Sequence, residues 1–228
     1  SIGRTCTITS SRHDERTEAE VVGFRDNMVL LMALESVHRI HPGCQVTAKP
    51  NSNEVPCGSA LLGRVIDGMG RPLDGKGPLR AASREGFFAE PPNPLSRALI
   101  RQPFATGIKA IDSFVPLGRG QRIGIFAGSG VGKSILLGMV ARGSEADINV
   151  ISLVGERGRE LREFVENDLG PEGLAKSVIV ISTSDQPAPM RIRASILATA
   201  IAEGFRDEGS NVLLLMDLKL LNKLRNFK

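Results

Sequence analysis

The run Ala127-Gly128-Ser129-Gly130-Val131-Gly132-Lys133-Ser134 restricts this chain more than any other stretch of it. Three glycines in five positions let a backbone bend tightly, and Lys-Ser closes the run where a helical pattern begins. The residues before it, Arg122 to Phe126, read as an apolar strand, and those after it, Lys133 to Arg142, as a helix. Strand, glycine turn and helix together build a ring of backbone N–H groups at a helix N-terminus, which is the most economical protein site for a polyphosphate. The first position is Ala127 where the usual pattern has glycine, so the match is to a slightly relaxed form of the P-loop.

The segments around the run repeat one rhythm. Ile148 to Val154, Val178 to Ile181 and Val212 to Met216 are continuously apolar and not alternating, as strands covered on both faces require. Arg157 to Asp168 and Met190 to Arg206 read as helices between them; the first stops at Leu169-Gly170-Pro171, where glycine takes a left-handed cap and proline prevents continuation. Alternating strands and helices predict a parallel α/β sheet. Before residue 80 the pattern differs: short runs at Ile2 to Thr9, Ala19 to Leu34 with a break at Arg25-Asp26-Asn27, Cys44 to Ala48 and Leu61 to Ile66, separated by turns such as His41-Pro42-Gly43. These predict a small N-terminal β-barrel over residues 1–83, because closure removes exposed sheet edges. A proline-rich linker, 84–100, then leads to a P-loop nucleotide-binding domain over 101–228.

Composition excludes several partners. The chain has 29 basic and 25 acidic residues, a net charge of +4, and neither Trp nor Tyr, so it offers neither the basic surface nor the stacking platforms of a nucleic-acid binder. Its three cysteines show no CxxC spacing and read as reduced thiols of a cytosolic protein. No apolar run reaches the length of about 18 residues that a membrane span needs. His38 and His41 lie close enough to share a metal, but with no third ligand nearby they read as loop histidines.

Hydrolysis of a bound triphosphate needs carboxylates besides the P-loop. Asp217 ends the apolar strand Val212 to Met216, the form of a Walker B element, and Glu156 follows the strand Ile148 to Val154. Residue types alone leave Glu156 open between a site carboxylate and an acidic residue favoured by a helix dipole.

Taken in order, the motifs resemble the ATPases of the flagellar and type III protein export apparatus, relatives of the catalytic subunits of rotary ATPases. The resemblance rests on Gly120 to Ser134, on Leu62 to Gly75, on Thr106-Gly107-Ile108-Lys109-Ala110-Ile111-Asp112, on Gly155-Glu156-Arg157-Gly158-Arg159-Glu160, on Thr183-Ser184-Asp185-Gln186-Pro187 and on Val212 to Asp217. The wording Ala127-Gly128-Ser129-Gly130 is that of the export ATPases. The resemblance implies a RecA-like core with ATP and Mg²⁺ as cofactors, held by Gly128, Ser129, Gly130, Val131, Gly132, Lys133 and Ser134. It implies that Lys133 binds phosphate, that Ser134 and Asp217 hold the metal, that Glu156 is the general base and that Arg157 contacts the γ-phosphate side. Arg191 and Arg193 are left between a subunit interface and plain surface solvation.

By the same resemblance the chain works as an ATP hydrolase in a hexameric ring of copies, cytoplasmic and peripheral to the inner-membrane export apparatus, with chaperone–cargo complexes as partners and no nucleic acid. The pattern departs after Asp217, where the family continues with a Ser or Thr and Arg, then the remainder of the catalytic domain and a C-terminal helical domain. Here Leu220, Leu221, Leu224 and Phe227 instead form a short basic amphipathic segment. The expected core is therefore incomplete, and a truncated remnant that binds ATP without turnover stands beside the hydrolase reading.

Overall fold

A computed structural model describes residues 2–10, 16–35, 37, 40–50, 54–87, 89–91, 93–128 and 130–218. The N-terminal part carries β1 (Thr5–Thr9), β2 (Arg16–Arg25), β3 (Met28–Ala33), β4 (Gln45–Ala48), β5 (Glu54–Cys57), β6 (Arg64–Asp67) and β7 (Ala82–Glu85). Then come β8 (Pro103–Phe104), α1 (Lys109–Phe114), β9 (Leu117–Gly118), α2 (Lys133–Gly143), β10 (Ile148–Val154), α3 (Gly158–Glu163), α4 (Gly170–Ala175), β11 (Ser177–Ser182), α5 (Ala188–Asp207) and β12 (Val212–Leu218).

The site is carried by a parallel sheet in the order β12-β10-β11-β6. Every residue of β10 and β11 is buried, which is why their sequences do not alternate. The pleat still sorts the side chains by face. Ile66, Val150, Val154, Val178 and Val180 pack toward α5, against Ala194, Leu197, Ala198 and Ile201. Val65, Ile151, Leu153, Ile179 and Ile181 face the other way, with Leu137 and Ala141 of α2 and with Leu161 and Phe164. Small residues on α5 let it approach the sheet closely, as its alanines predict.

Several expectations change. Leu61 to Ile66 was grouped with the N-terminal strands, whereas β6 runs parallel to β11 with Val65 opposite Ile179 and Ile66 opposite Val180. Val65 and Ile66 are adjacent and both buried, which only a strand covered on both faces can satisfy. Among the described residues the N-terminal strands form an open antiparallel sheet, β3-β2-β1-β4, and not a closed barrel. The antiparallel β5–β7 pair forms a separate two-stranded sheet, and Val55 of β5, with Leu61 and Phe87 nearby in the chain, packs in the α5 cluster.

Arg122 to Phe126 forms no strand; Ile123 and Ile125 are exposed and Phe126 is 92% exposed. An apolar run becomes a strand only against a hydrogen-bonding neighbour, and none is placed beside it among the described residues. The helix expected over Arg157 to Asp168 is divided: α3 passes into a π-helical turn, Phe164–Leu169, and Gly170-Pro171 opens α4 rather than ending the run. The basic segment after Leu218, and His38 of the histidine pair, lie outside the described residues. His41 is placed, with Nε2 3.1 Å from the Ser10 hydroxyl.

Arg193 occupies neither of its expected places. It is 7% exposed, its guanidinium lies 4.0 Å over the Phe87 ring, and Nη1 is 3.6 Å from Glu20 of β2. Burial raises the Glu20 carboxyl above its ordinary value and lowers the Arg193 guanidinium, with each charge partly offsetting the shift of the other. This pair ties the N-terminal sheet to α5.

The turns after β6 explain the run Leu62 to Gly75. Asp67 accepts hydrogen bonds from Met69 N–H, Arg71 N–H and Arg71 Nε. Asp74 accepts from Arg64 Nε at 2.7 Å and Nη2 at 3.1 Å, and from the N–H groups of Val65 and Lys76. Chiefly through the Arg64 hydrogen bond, the Asp74 carboxyl is held far below the usual carboxylate range. A depressed folded-state pKa contributes stability that is present above the unfolded pKa and lost as pH falls through the folded one. Asp74→Asn is accordingly expected to cost about 2 kcal/mol at neutral pH. The melting curves of wild type and variant should converge as the pH drops below about 4, where unfolded aspartate is protonated.

Candidate functional site

The glycine run turns into α2 through two residues that need glycine for conformation. Gly130 has φ 79° and Gly132, the residue capping α2, has φ 92°, a region that side chains disfavour. A Cβ at Gly128, Gly130 or Gly132 would meet nothing within 4 Å, so the space over the loop is open to a ligand. Lys133 and Ser134 are the first two residues of α2, at the positive end of its dipole. Ser129 lies outside the described residues.

Three separate elements bring the other groups to the same place. Asp217, on β12 opposite Leu153 of β10, is only 3% exposed. A carboxylate so buried needs a partner, and Lys133 Nζ supplies one at 2.5 Å from Oδ1. Glu156, 6% exposed, follows β10 beyond Gly155, whose φ of 83° turns the chain out of the sheet. Ser134, Leu137, Leu153, Glu156, Glu160, Leu161, Phe164 and Asp217 line one small cavity of about 10 Å³. That is room for about one water molecule.

α2 is set against the far wall by Gly138, where a Cβ would come 2.6 Å from the Asp168 carbonyl oxygen. No side chain fits there, so the helix bearing Lys133 and Ser134 lies directly on the π-helical turn.

Lys133, Ser134, Glu156 and Asp217 therefore converge, as the sequence leads one to expect. Arg157 does not join them: it is exposed, caps α3 and is absent from the cavity wall. Val131 is exposed on the loop. Glu160 and Phe164 belong to the wall although the sequence had singled out neither for a role. Glu160 lies on α3 and Phe164 opens the π-helical turn after it, and no local pattern in the sequence assigned either a place in the wall.

Residues 107–220 match the ATP synthase alpha/beta family, nucleotide-binding domain. The chain is 52% identical over 218 residues to the flagellum-specific ATP synthase of Bacillus subtilis, covering 95% of this chain and 50% of that protein. It is 46% identical over 217 residues to the type 3 secretion system ATPase of Xanthomonas euvesicatoria, covering 95% and 49%. Among solved structures, the assembled ATPase EscN in complex with its central stalk EscO, from the type III secretion system of enteropathogenic E. coli, superposes with a TM-score of 0.86. Its identity is 46%, over 96% of this chain and 53% of EscN. The chain thus spans about half the length of the relatives it matches.

Proposed function

The chain belongs to the ATP synthase alpha/beta family, and from that membership we propose that it serves as an ATP hydrolase of a flagellar or type III protein export apparatus. One observation carries the proposal furthest: Lys133, from the first turn of α2, meets the buried Asp217, 84 residues later in the chain, beside Ser134 and Glu156. The Ser134 hydroxyl and the carboxylates of Glu156, Glu160 and Asp217 surround room for about one water, with the Lys133 ammonium on Asp217, and among them are the groups that phosphoryl transfer to water requires.

In this reading the backbone N–H groups of Gly128 to Gly132 surround the β- and γ-phosphates, and Lys133 leaves Asp217 for the phosphate oxygens. Glu156 orients the attacking water and takes its proton. Arg157, exposed at the start of α3, swings toward the γ-phosphate side. The oxygen donors Ser134 and Asp217 suit Mg²⁺, and the Lys133 ammonium on Asp217 indicates that this carboxylate accepts a positive partner. Among the described residues no cluster of three or more His, Cys, Asp or Glu makes a metal cage, as fits an ion held largely by phosphate and water. When bound, the ion neutralises charge developing on the phosphates.

Beyond the site, the proposal extends to a ring of copies, six in number, and to chaperone–cargo complexes as partners. It places the protein in the cytoplasm against the inner-membrane export machinery; among the described residues no helix is long and apolar enough to cross a membrane.

Steady-state phosphate release and ATP binding by the intact purified protein test the reading. Magnesium-dependent turnover that EDTA abolishes is the expected result. Absence of ATP binding would overturn it, and binding without turnover would select the remnant reading.

A further inference from the structure

The run Thr183 to Pro187 follows β11 and has no part in the chemistry above, yet it touches the backbone that carries Glu156. β10 and β11 stay in register up to Val154 opposite Ser182, and one more ladder bond follows, from Gly155 N–H to the Ser182 carbonyl at 2.8 Å. A regular parallel ladder would next join Ser184 N–H to the Gly155 carbonyl. Instead Ser184 N–H donates to the Glu156 carbonyl at 3.0 Å, one residue further on. The positive φ of Gly155 accounts for the slip, which is a bulge in effect, and bulges re-aim the side chain that follows. The direction of Glu156 thus depends on where the Ser184 N–H is held.

That donor sits in a loop closed twice by Gln186. Its N–H donates to the Thr183 carbonyl at 3.2 Å, and its side-chain Oε1 accepts from the Ser182 hydroxyl at 2.7 Å. Ser182 is fully buried, so this hydroxyl has no water to turn to.

We propose that Ser182 and Gln186 form a positioning pair for Glu156: their side-chain hydrogen bond fixes the loop whose Ser184 N–H anchors the Glu156 carbonyl and so aims its carboxylate. The proposal rests on the reading of Glu156 as the group that activates water. Neither Ser182 nor Gln186 lines the cavity between Ser134, Glu156 and Asp217, so loosening the pair slows the chemical step without weakening binding.

The test is steady-state ATPase kinetics of the intact protein carrying S182A, Q186A, both together, Q186E, and E156Q as reference. Each single variant is expected to lower kcat about tenfold, by misplacement of the base. KM for ATP should stay within about twofold, because binding is untouched. The double variant should be no slower than the slower single one, since both remove one interaction. Q186E, whose carboxylate still accepts from the serine hydroxyl, should restore most of the rate. Unchanged kcat, additive losses or a rise in KM alone, beside an inactive E156Q, would overturn the positioning role by itself. An E156Q enzyme as fast as wild type would overturn it through the reading on which it rests.

Discussion

Glutamine in place of Glu156 is expected to leave ATP bound while cutting turnover by about a hundredfold to ten-thousandfold, the range for loss of a positioned general base. The geometry explains why the effect separates so cleanly. Glu156 reaches the cavity from the end of β10, whereas the glycine loop and Lys133 approach from the start of α2. Glutamine keeps the size and the hydrogen-bonding reach of glutamate but cannot take a proton from water. Lys133→Ala should do the opposite: it removes the cation proposed to meet the phosphates and leaves the buried Asp217 carboxylate without its ammonium. Nucleotide titration beside single-turnover phosphate release distinguishes the two variants. Weakened binding in Glu156→Gln, or full turnover in it, would sink the assignment of the base.

The largest loss of stability is expected from Gly107→Ala. Gly107 stands in the run Thr106 to Asp112, where the Asp112 carboxylate accepts from Thr106 N–H, from the Thr106 hydroxyl and from Gly107 N–H. That cap bends the chain onto the C-terminal end of α2. A Cβ on Gly107 would lie 2.4 Å from the Gly143 carbonyl oxygen, and its φ of 77° is unfavourable to a side chain besides. Backbone strain of about 1 kcal/mol and overpacking of about 2–3 kcal/mol add to roughly 3–4 kcal/mol. In a chain of this size that is a fall in Tm of about 10 °C. Gly120→Ala is the control, because Gly120 has φ 85° with nothing within 4 Å of its Cβ, and about 1 kcal/mol is expected there. Equal losses in the two variants would show that the approach of Gly107 to α2 contributes nothing.

The chemistry was more legible than the architecture. Gly128 to Ser134 is announced by its glycine spacing and Asp217 by the apolar strand it ends, whereas Glu156, placed after a strand, took its role from the family resemblance. Each such pattern is written within a few consecutive residues. Periodicity likewise placed α2, β10, β11, α5 and β12 to within a few residues. Arg122 to Phe126 and Leu61 to Ile66 show the limit. Both read as strands, yet one has no strand neighbour among the described residues and the other joins the parallel sheet. An apolar run declares that it wants burial, but not which edge will take it.

The glycine run with which the sequence is most informative thus determined, unaided, that a glycine turn leads into α2, while the apolar runs determined that Asp217 and Glu156 stand at strand ends. Tertiary structure alone decided that Lys133 and Asp217 meet, that Glu160 and Phe164 wall the cavity, and that Arg193 is buried between Phe87 and Glu20. It also decided that the Ser182 hydroxyl meets Gln186 and that Ser184 N–H meets the Glu156 carbonyl. The division has a physical cause. Turn chemistry and side-chain period are set by bonded geometry over a few residues. Partners far apart in the chain are chosen by competition among all possible burials and hydrogen bonds, which no single stretch of sequence contains.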